Sequence, residues 1–375
     1  MRELLHIKII LALFQKLIKF QPDKMRELDI ELLTNICEIP GAPGFEQRIR
    51  SFVMKTVAEY VDEVRTDALG NVIVLRKGKK DKKVMVAAHM DEISFIVTHI
   101  DENGFIKFHT LGGFDPKTLT AQRVIIHGKE DIMGVMGTKP IHVLTAEEKS
   151  KAPKIQDFFI DTGLPYEKVK ELITIGDPIT RERTLIEMGD CVNSKSIDNR
   201  ISVYILIETL KALHGTELPY DLYAVFTVQE EVGLRGAITA SSGLNPDFGI
   251  ALDVTMAYDL PGSSPHEVIS NLGKGTAIKV MDGSTICDYR MVRFMRERAE
   301  KAKIPYQLEI LTAGGTDTAG MQRFSNGGAI AGAISIPCRY LHQVIEMVHK
   351  NDVAHSIDLL IESVLHLDAF DWNFS

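Results

Sequence analysis

Four apolar runs of strand length, each followed at once by a group that can carry charge or bind a cation, constrain this chain more than any other feature. Val84-Met85-Val86-Ala87-Ala88 runs into His89-Met90-Asp91-Glu92. The run at 222–228 ends in Gln229-Glu230-Glu231, that at 248–252 in Asp253, and that at 329–336 in Pro337-Cys338-Arg339-Tyr340-Leu341-His342. Near-continuous apolar runs mark strands buried on both faces. Helical patterns lie between them, at 200–213, 288–301 and 356–370. This alternation predicts an α/β fold with a central mixed sheet sandwiched by helices. Such a sheet presents its chemistry at the carboxyl ends of its strands.

Two further helices are expected at 31–37 and 46–60, separated by the breaker Pro40-Gly41-Ala42-Pro43-Gly44, and a strand at 71–76. The 83–88 run follows a basic stretch read as a turn. Residues 93–186 differ in character, with short β-like pieces broken by Gly112-Gly113, Gly128, Gly134 and Gly176-Asp177-Pro178. They are read as a small β-rich domain inserted into the α/β domain formed by 25–92 and 187–375. A chain of 375 residues exceeds what one core usually supports, which fits a large domain plus a small one. In residues 1–24, an apolar run at 7–14 is flanked by Lys16, Lys19 and Lys24. It is read as an extension ahead of a natural start at Met25, in preference to a membrane-surface helix.

No run approaches 18 apolar residues, so no transmembrane helix is expected. A net charge of −8 with 7% aromatics argues against a nucleic-acid partner, which would call for a basic face. Cys37, Cys191, Cys287 and Cys338 form no CxxC pair, and a reducing, cytoplasmic setting fits them best.

A fifth group, Asp198 in Ser196-Ile197-Asp198-Asn199-Arg200, stands just before a helix. Taken singly, each group has a plainer reading. Asp198 could cap the helix, Asp253 and Glu230-Glu231 could lie in turns, and His342 could be a core histidine. Together at one sheet edge they argue for a site, because buried carboxylates are costly unless paired or bound to metal. Nitrogen and oxygen donors without thiolate suit Zn²⁺, Co²⁺ or Mn²⁺. Two histidines with three or more carboxylates are about right for two ions roughly 3.5–4 Å apart. His99, His109, His127, His214 and His366 lack this context and are read as structural.

The segments Ala88-His89-Met90-Asp91-Glu92-Ile93, Asp198-Asn199-Arg200, Gln229-Glu230-Glu231-Val232-Gly233-Leu234-Arg235-Gly236-Ala237, Gly314-Gly315-Thr316-Asp317 and 335–342 resemble, in order, the M42 family of dinuclear metalloaminopeptidases. That family includes tetrahedral and glutamyl aminopeptidases, and some members carry an endoglucanase label. The resemblance runs from about Met25 to Asp368. It implies a zinc-exopeptidase-like sheet with an inserted small β-barrel, and two divalent ions per subunit, zinc or cobalt. Asp198 would bridge the ions; His89 and Asp253 would complete one site, Glu231 and His342 the other. Glu230 would be the general base, and Asp91 would orient His89. The Asp198–Asn199 peptide would be cis, and Gly314, Gly315 and Thr316 would line the substrate pocket. The implied activity is removal of N-terminal residues from peptides. The implied state is a homo-oligomer, a tetrahedral dodecamer in several relatives, with the inserted domain at subunit contacts. Ser94, Cys338 and Gln343 depart from the usual Gly, Thr and Ser, which leaves the pocket shape beside His342 open. A glycosidase would pair two carboxyls without a metal requirement, and a non-catalytic scaffold would lack a ligand or the base.

Overall fold

Consecutive residues of the Val84–Ala88 run divide between two cores. Val84, Val86 and Ala88 join one apolar cluster, Met85 and Ala87 another. Side chains alternate across a strand, so a run buried on both faces must be apolar throughout. The computed structural model describes residues 26–374; the apolar run at 7–14 and the expected start at Met25 lie outside the described residues.

The sheet is mixed and has 11 strands among the described residues. Leu218–Thr227, Gly78–His89, Phe248–Met256 and Ile330–Arg339 lie side by side and mutually parallel at its centre. Their carboxyl ends therefore meet at one edge. The larger core lies between the sheet and the helices Ile30–Glu38, Gln47–Val57, Ile197–Leu213, Tyr289–Ala302 and Lys350–His366. The helices Arg235–Leu244 and Asp317–Phe324 cover the opposite face, where Ala240 and Met321 pack on Met85 and Ala251.

Between Gly78–His89 and the later strands of the sheet, the chain makes a closed antiparallel barrel of Ser94–Ile100, Ile106–Leu111, Phe159–Asp161, Asp131–Gly137, Arg123–His127 and Pro178–Arg181. Exposed and buried residues alternate along Asp131–Gly137, and the barrel encloses a core of its own. In that core, Phe95 meets Phe114 at 4.5 Å and Phe108 at 5.0 Å. The Arg48 guanidinium joins the barrel to the α/β body through Asp131, at 2.6 and 2.8 Å. His127, read as structural, sits between Asp131 (2.8 Å) and Thr180 (2.9 Å).

Two expectations need correction. The basic stretch before Val84 is not a turn: Gly78–His89 is one strand, and its exposed first half pairs with Leu218–Asp221. Alternation carries no signal there because both faces are wet. The last long helix spans Lys350–His366, not 356–370, with the His349 side chain accepting from the Asn351 amide at its start.

Candidate active site

Register places the site. Phe226 lies opposite Ala88 and Thr227 opposite His89, so His89 and the Gln229-Glu230-Glu231 turn leave the sheet together. Asp253 is carried on Phe248–Met256, the next strand but one from Leu218–Thr227. His342 follows Ile330–Arg339 in a loop where both Tyr340 and His342 take φ of +61°. Asp198 opens the helix Ile197–Leu213 with non-helical dihedrals, and the Asp198–Asn199 peptide is cis. The Asp198 amide donates to Glu346 (2.9 Å), and the Asn199 side chain donates to the Leu252 carbonyl (2.8 Å).

These elements bring His89, Asp198, Glu230, Glu231, Asp253 and His342 into one cluster. Asp198 touches both imidazoles: Oδ1 lies 3.3 Å from His89 Nε2 and Oδ2 lies 3.3 Å from His342 Nε2. His89 Nε2 is also 3.7 Å from Glu230 and 3.8 Å from Asp253, and His342 Nε2 is 3.7 Å from Glu231. Donor atoms of His89, Glu230 and Asp253, and of His89, Asp198 and Glu231, lie within 4.8 Å of one another. Distance alone thus groups Glu230 with the other donors.

Burial sets the electrostatics. It pushes Glu231 up to about 8 and lifts Glu230 and Asp253 well above the carboxylate range, with neighbouring carboxylates adding to the shift. Burial would also raise Asp198, but hydrogen bonds to His342 and His89 outweigh it and hold this carboxyl well below its ordinary value. The imidazoles answer in kind: burial would lower them, yet Asp198 and Glu231 hold His342 up to about 10, and Glu230 and Asp198 keep His89 well above its usual value. Four buried carboxyls around two imidazoles call for further positive charge. Among the described residues, buried Glu231 Oε1 has no hydrogen-bond partner. An all-N/O donor set with an unpartnered carboxylate oxygen fits divalent cations of the Zn²⁺ or Co²⁺ type.

Asp91 does more than its spacing suggests. His89 Nδ1 lies 3.1 Å from the Asp91 carbonyl and 3.6 Å from its carboxylate. That carboxylate also accepts from the amides of Glu230 (3.0 Å) and Glu231 (3.1 Å). One side chain therefore fixes the turn that carries both glutamates relative to His89.

The cluster floors a cleft of about 380 Å³, with Gly314, Gly315 and Thr316 along one wall. Gly314 has φ of +70°, and a Cβ on Gly315 would come within 2.7 Å of Ser284 Oγ, so both positions call for glycine. Thr316 Oγ1 donates to Asp282 (3.0 Å). Lys279 shares the wall and pairs with buried Glu309 and with Asp282. Lys279, Glu346 and Gly113, the last read from the sequence only as part of a turn, were not singled out as site residues; the Gly113 carbonyl accepts from His342 Nδ1 at 2.8 Å. Glu346 sits in an ordinary alternating strand pattern, and no local signal marks any of the three. Ser94, one of the departures, is buried and donates to the Glu92 carbonyl (2.8 Å).

A family model described as M42 glutamyl aminopeptidase matches residues 70–359. The chain is 35% identical to the lysyl aminopeptidase of Pyrococcus furiosus, over 91% of this chain and 99% of that one. It is 33% identical to the glutamyl aminopeptidase of Lactococcus lactis subsp. cremoris, over 82% of this chain and 87% of that one. Among solved structures, the TET1 peptidase of Pyrococcus horikoshii, which can assemble into a tetrahedron or a large octahedral shell, matches with a TM-score of 0.81 at 32% identity. The match covers 90% of this chain and 99% of that one.

Proposed function

This chain belongs to the M42 glutamyl aminopeptidase family, and from that premise we propose that it is a dinuclear metalloaminopeptidase that removes single residues from the N-termini of peptides. The observation that carries this reading is Asp198, whose two carboxylate oxygens face two different histidines. Asp198 would bridge the two cations, zinc or cobalt. His89 and Asp253 would complete one site, and Glu231 and His342 the other. Two bound divalent cations supply Lewis-acid polarisation of the scissile carbonyl and make water acidic near neutral pH.

The remaining chemistry belongs to the chain. Glu230, buried at the floor of the cleft beside His89, takes a proton from the attacking water and returns it to the leaving amine. Asp91 holds Glu230 and Glu231 in place through their amides. With both cations held, the cluster would receive the free amine of a substrate's N-terminus. The Gly314–Thr316 wall, with Lys279 and Asp282 beside it, receives the first side chain. The two named relatives differ in the residue they are named for, lysyl against glutamyl, so the preference of this chain is a matter of its own pocket wall.

Activity on aminoacyl-p-nitroanilides should vanish with EDTA and return with Zn²⁺ or Co²⁺. N-acetylated versions of the same substrates should resist, because acetylation takes away the free amine that the two-cation site would receive. Rapid cleavage of an acetylated peptide would overturn the exopeptidase reading.

A homo-oligomer, tetrahedral in its fullest form, accompanies this proposal, with the inserted domain (93–186) at the subunit contacts. Exposed Met133, Val135, Ile141 and Val143 on that domain support it. Light scattering should give a mass several times 41.8 kDa; a single-chain mass would refute assembly. No described helix is long and apolar enough to cross a membrane. The free cysteines suit a cytoplasmic setting.

A further inference from the structure

His342 is the least sheltered member of the cluster. Its side chain is 39% exposed, against 2% for His89. His89 ends a central strand, whereas His342 sits in a loop at φ of +61°. A donor held this way needs support from outside its own loop, and that support comes from the barrel on two sides. The Gly113 carbonyl, just after the barrel strand Ile106–Leu111, accepts from Nδ1 at 2.8 Å and leaves Nε2 facing Asp198 and Glu231. Arg181, the last residue of the barrel strand Pro178–Arg181, donates from Nη1 to the His342 carbonyl at 3.1 Å.

Arg181 is only 2% exposed. Its guanidinium lies 5.5 Å from the centre of the Phe114 ring, and its Nε and Nη2 have no hydrogen-bond partner among the described residues. The carboxylates of Glu346, Glu92, Glu231 and Asp198 act on it, as does the buried Lys195 ammonium, so it faces the acidic side of the site from within the barrel. A fully buried guanidinium with a single hydrogen bond is expensive to keep. Its one hydrogen bond goes to the backbone of a residue in the cluster.

We propose that the barrel positions His342 through Arg181 and the Gly113 carbonyl, which makes Arg181 a positioning residue for the cation held by Glu231 and His342. This rests on the two-cation reading above. The barrel thereby contributes to the site without supplying a ligand. Groups that orient a metal-bound histidine typically change metal affinity or activity roughly 10–100-fold when lost.

The test is a metal titration of the full-length protein, read by calorimetry and by metal content after dialysis, with assembly followed by light scattering. Wild type should bind two ions. Arg181→Met, which keeps the length and loses the charge and donors, should bind one ion as wild type does and the other roughly 10–100-fold more weakly. Its turnover should recover with excess metal, which a general structural lesion would not allow. Arg181→Lys keeps the charge but not the planar fork, and should fall between the two. If Arg181→Met does not fold, the lysine variant decides: an unchanged second site overturns the proposal. So does an Arg181→Met protein with two wild-type affinities, or one that loses both ions equally. Fewer than two ions on wild type would overturn the dinuclear reading itself, and this inference with it.

Discussion

Asp198→Ala is expected to leave the protein without either cation. Among the described residues, Asp198 is the carboxylate in contact with both histidines, each through a different oxygen at 3.3 Å. Glu231 lies 3.7 Å from His342, and Asp253 lies 3.8 Å from His89. Removing either of these should therefore weaken one site, whereas removing Asp198 dissolves the link between the two. It also leaves His89, Glu230, Glu231 and Asp253 as a buried cluster with less to hold its geometry. Metal content should fall from two ions per chain toward none, and peptidase activity should fall to the level of the EDTA-treated wild type. Asp198→Asn keeps the volume and the backbone hydrogen bond to Glu346 but removes the charge, so it should show the same loss with less disturbance of folding. Metal analysis that finds the wild-type complement in either variant would sink the bridging assignment.

Glu230→Gln should separate chemistry from binding. The two glutamates are adjacent, and their amides share the Asp91 carboxylate, yet the proposal gives them different work. Glutamine at 230 preserves size and cannot accept a proton, so both ions should remain while kcat falls by roughly two to four orders of magnitude. Glutamine at 231 should instead reduce metal affinity, with activity returning as metal is added. The grouping of Glu230 with His89 and Asp253 by distance makes this comparison decisive: if Glu230→Gln loses metal and Glu231→Gln keeps it, the roles are reversed.

The parts of the site legible in the sequence are those that obey a local rule. His89, Glu230, Glu231 and Asp253 follow or end apolar runs, and parallel pairing alone is enough to gather them. The sandwich itself was legible for the same reason, since a strand covered on both faces must be apolar at every position. What escaped is what passes between distant segments. The Asp91 carboxylate reaches amides 139 and 140 positions away, and Gly113 meets His342 across 229. Arg181 lies at the end of a barrel strand and reads as one more charged residue near a turn. Glu346 alternates as any strand residue does. In each case the interaction is created by the docking of two elements, and neither segment carries a pattern that anticipates the other. The basic first half of Gly78–His89 escaped for a simpler reason: solvent on both sides removes the hydrophobic period on which strand recognition depends.

The placement of the barrel also sets an order for synthesis. Among the described residues, the strand Gly78–His89 finds its sheet partners in Leu218–Thr227 and Phe248–Met256, both of which leave the ribosome after the barrel is finished. The barrel closes on its own strands and has its own core, so it can fold while its host is still half made. During that interval Val84, Val86 and Ala88, later wholly buried, have no sheet to enter. A nascent chain built this way carries a completed module beside an unpaired apolar strand. Such a strand is the kind of segment that chaperones bind and that neighbouring unfinished chains can capture.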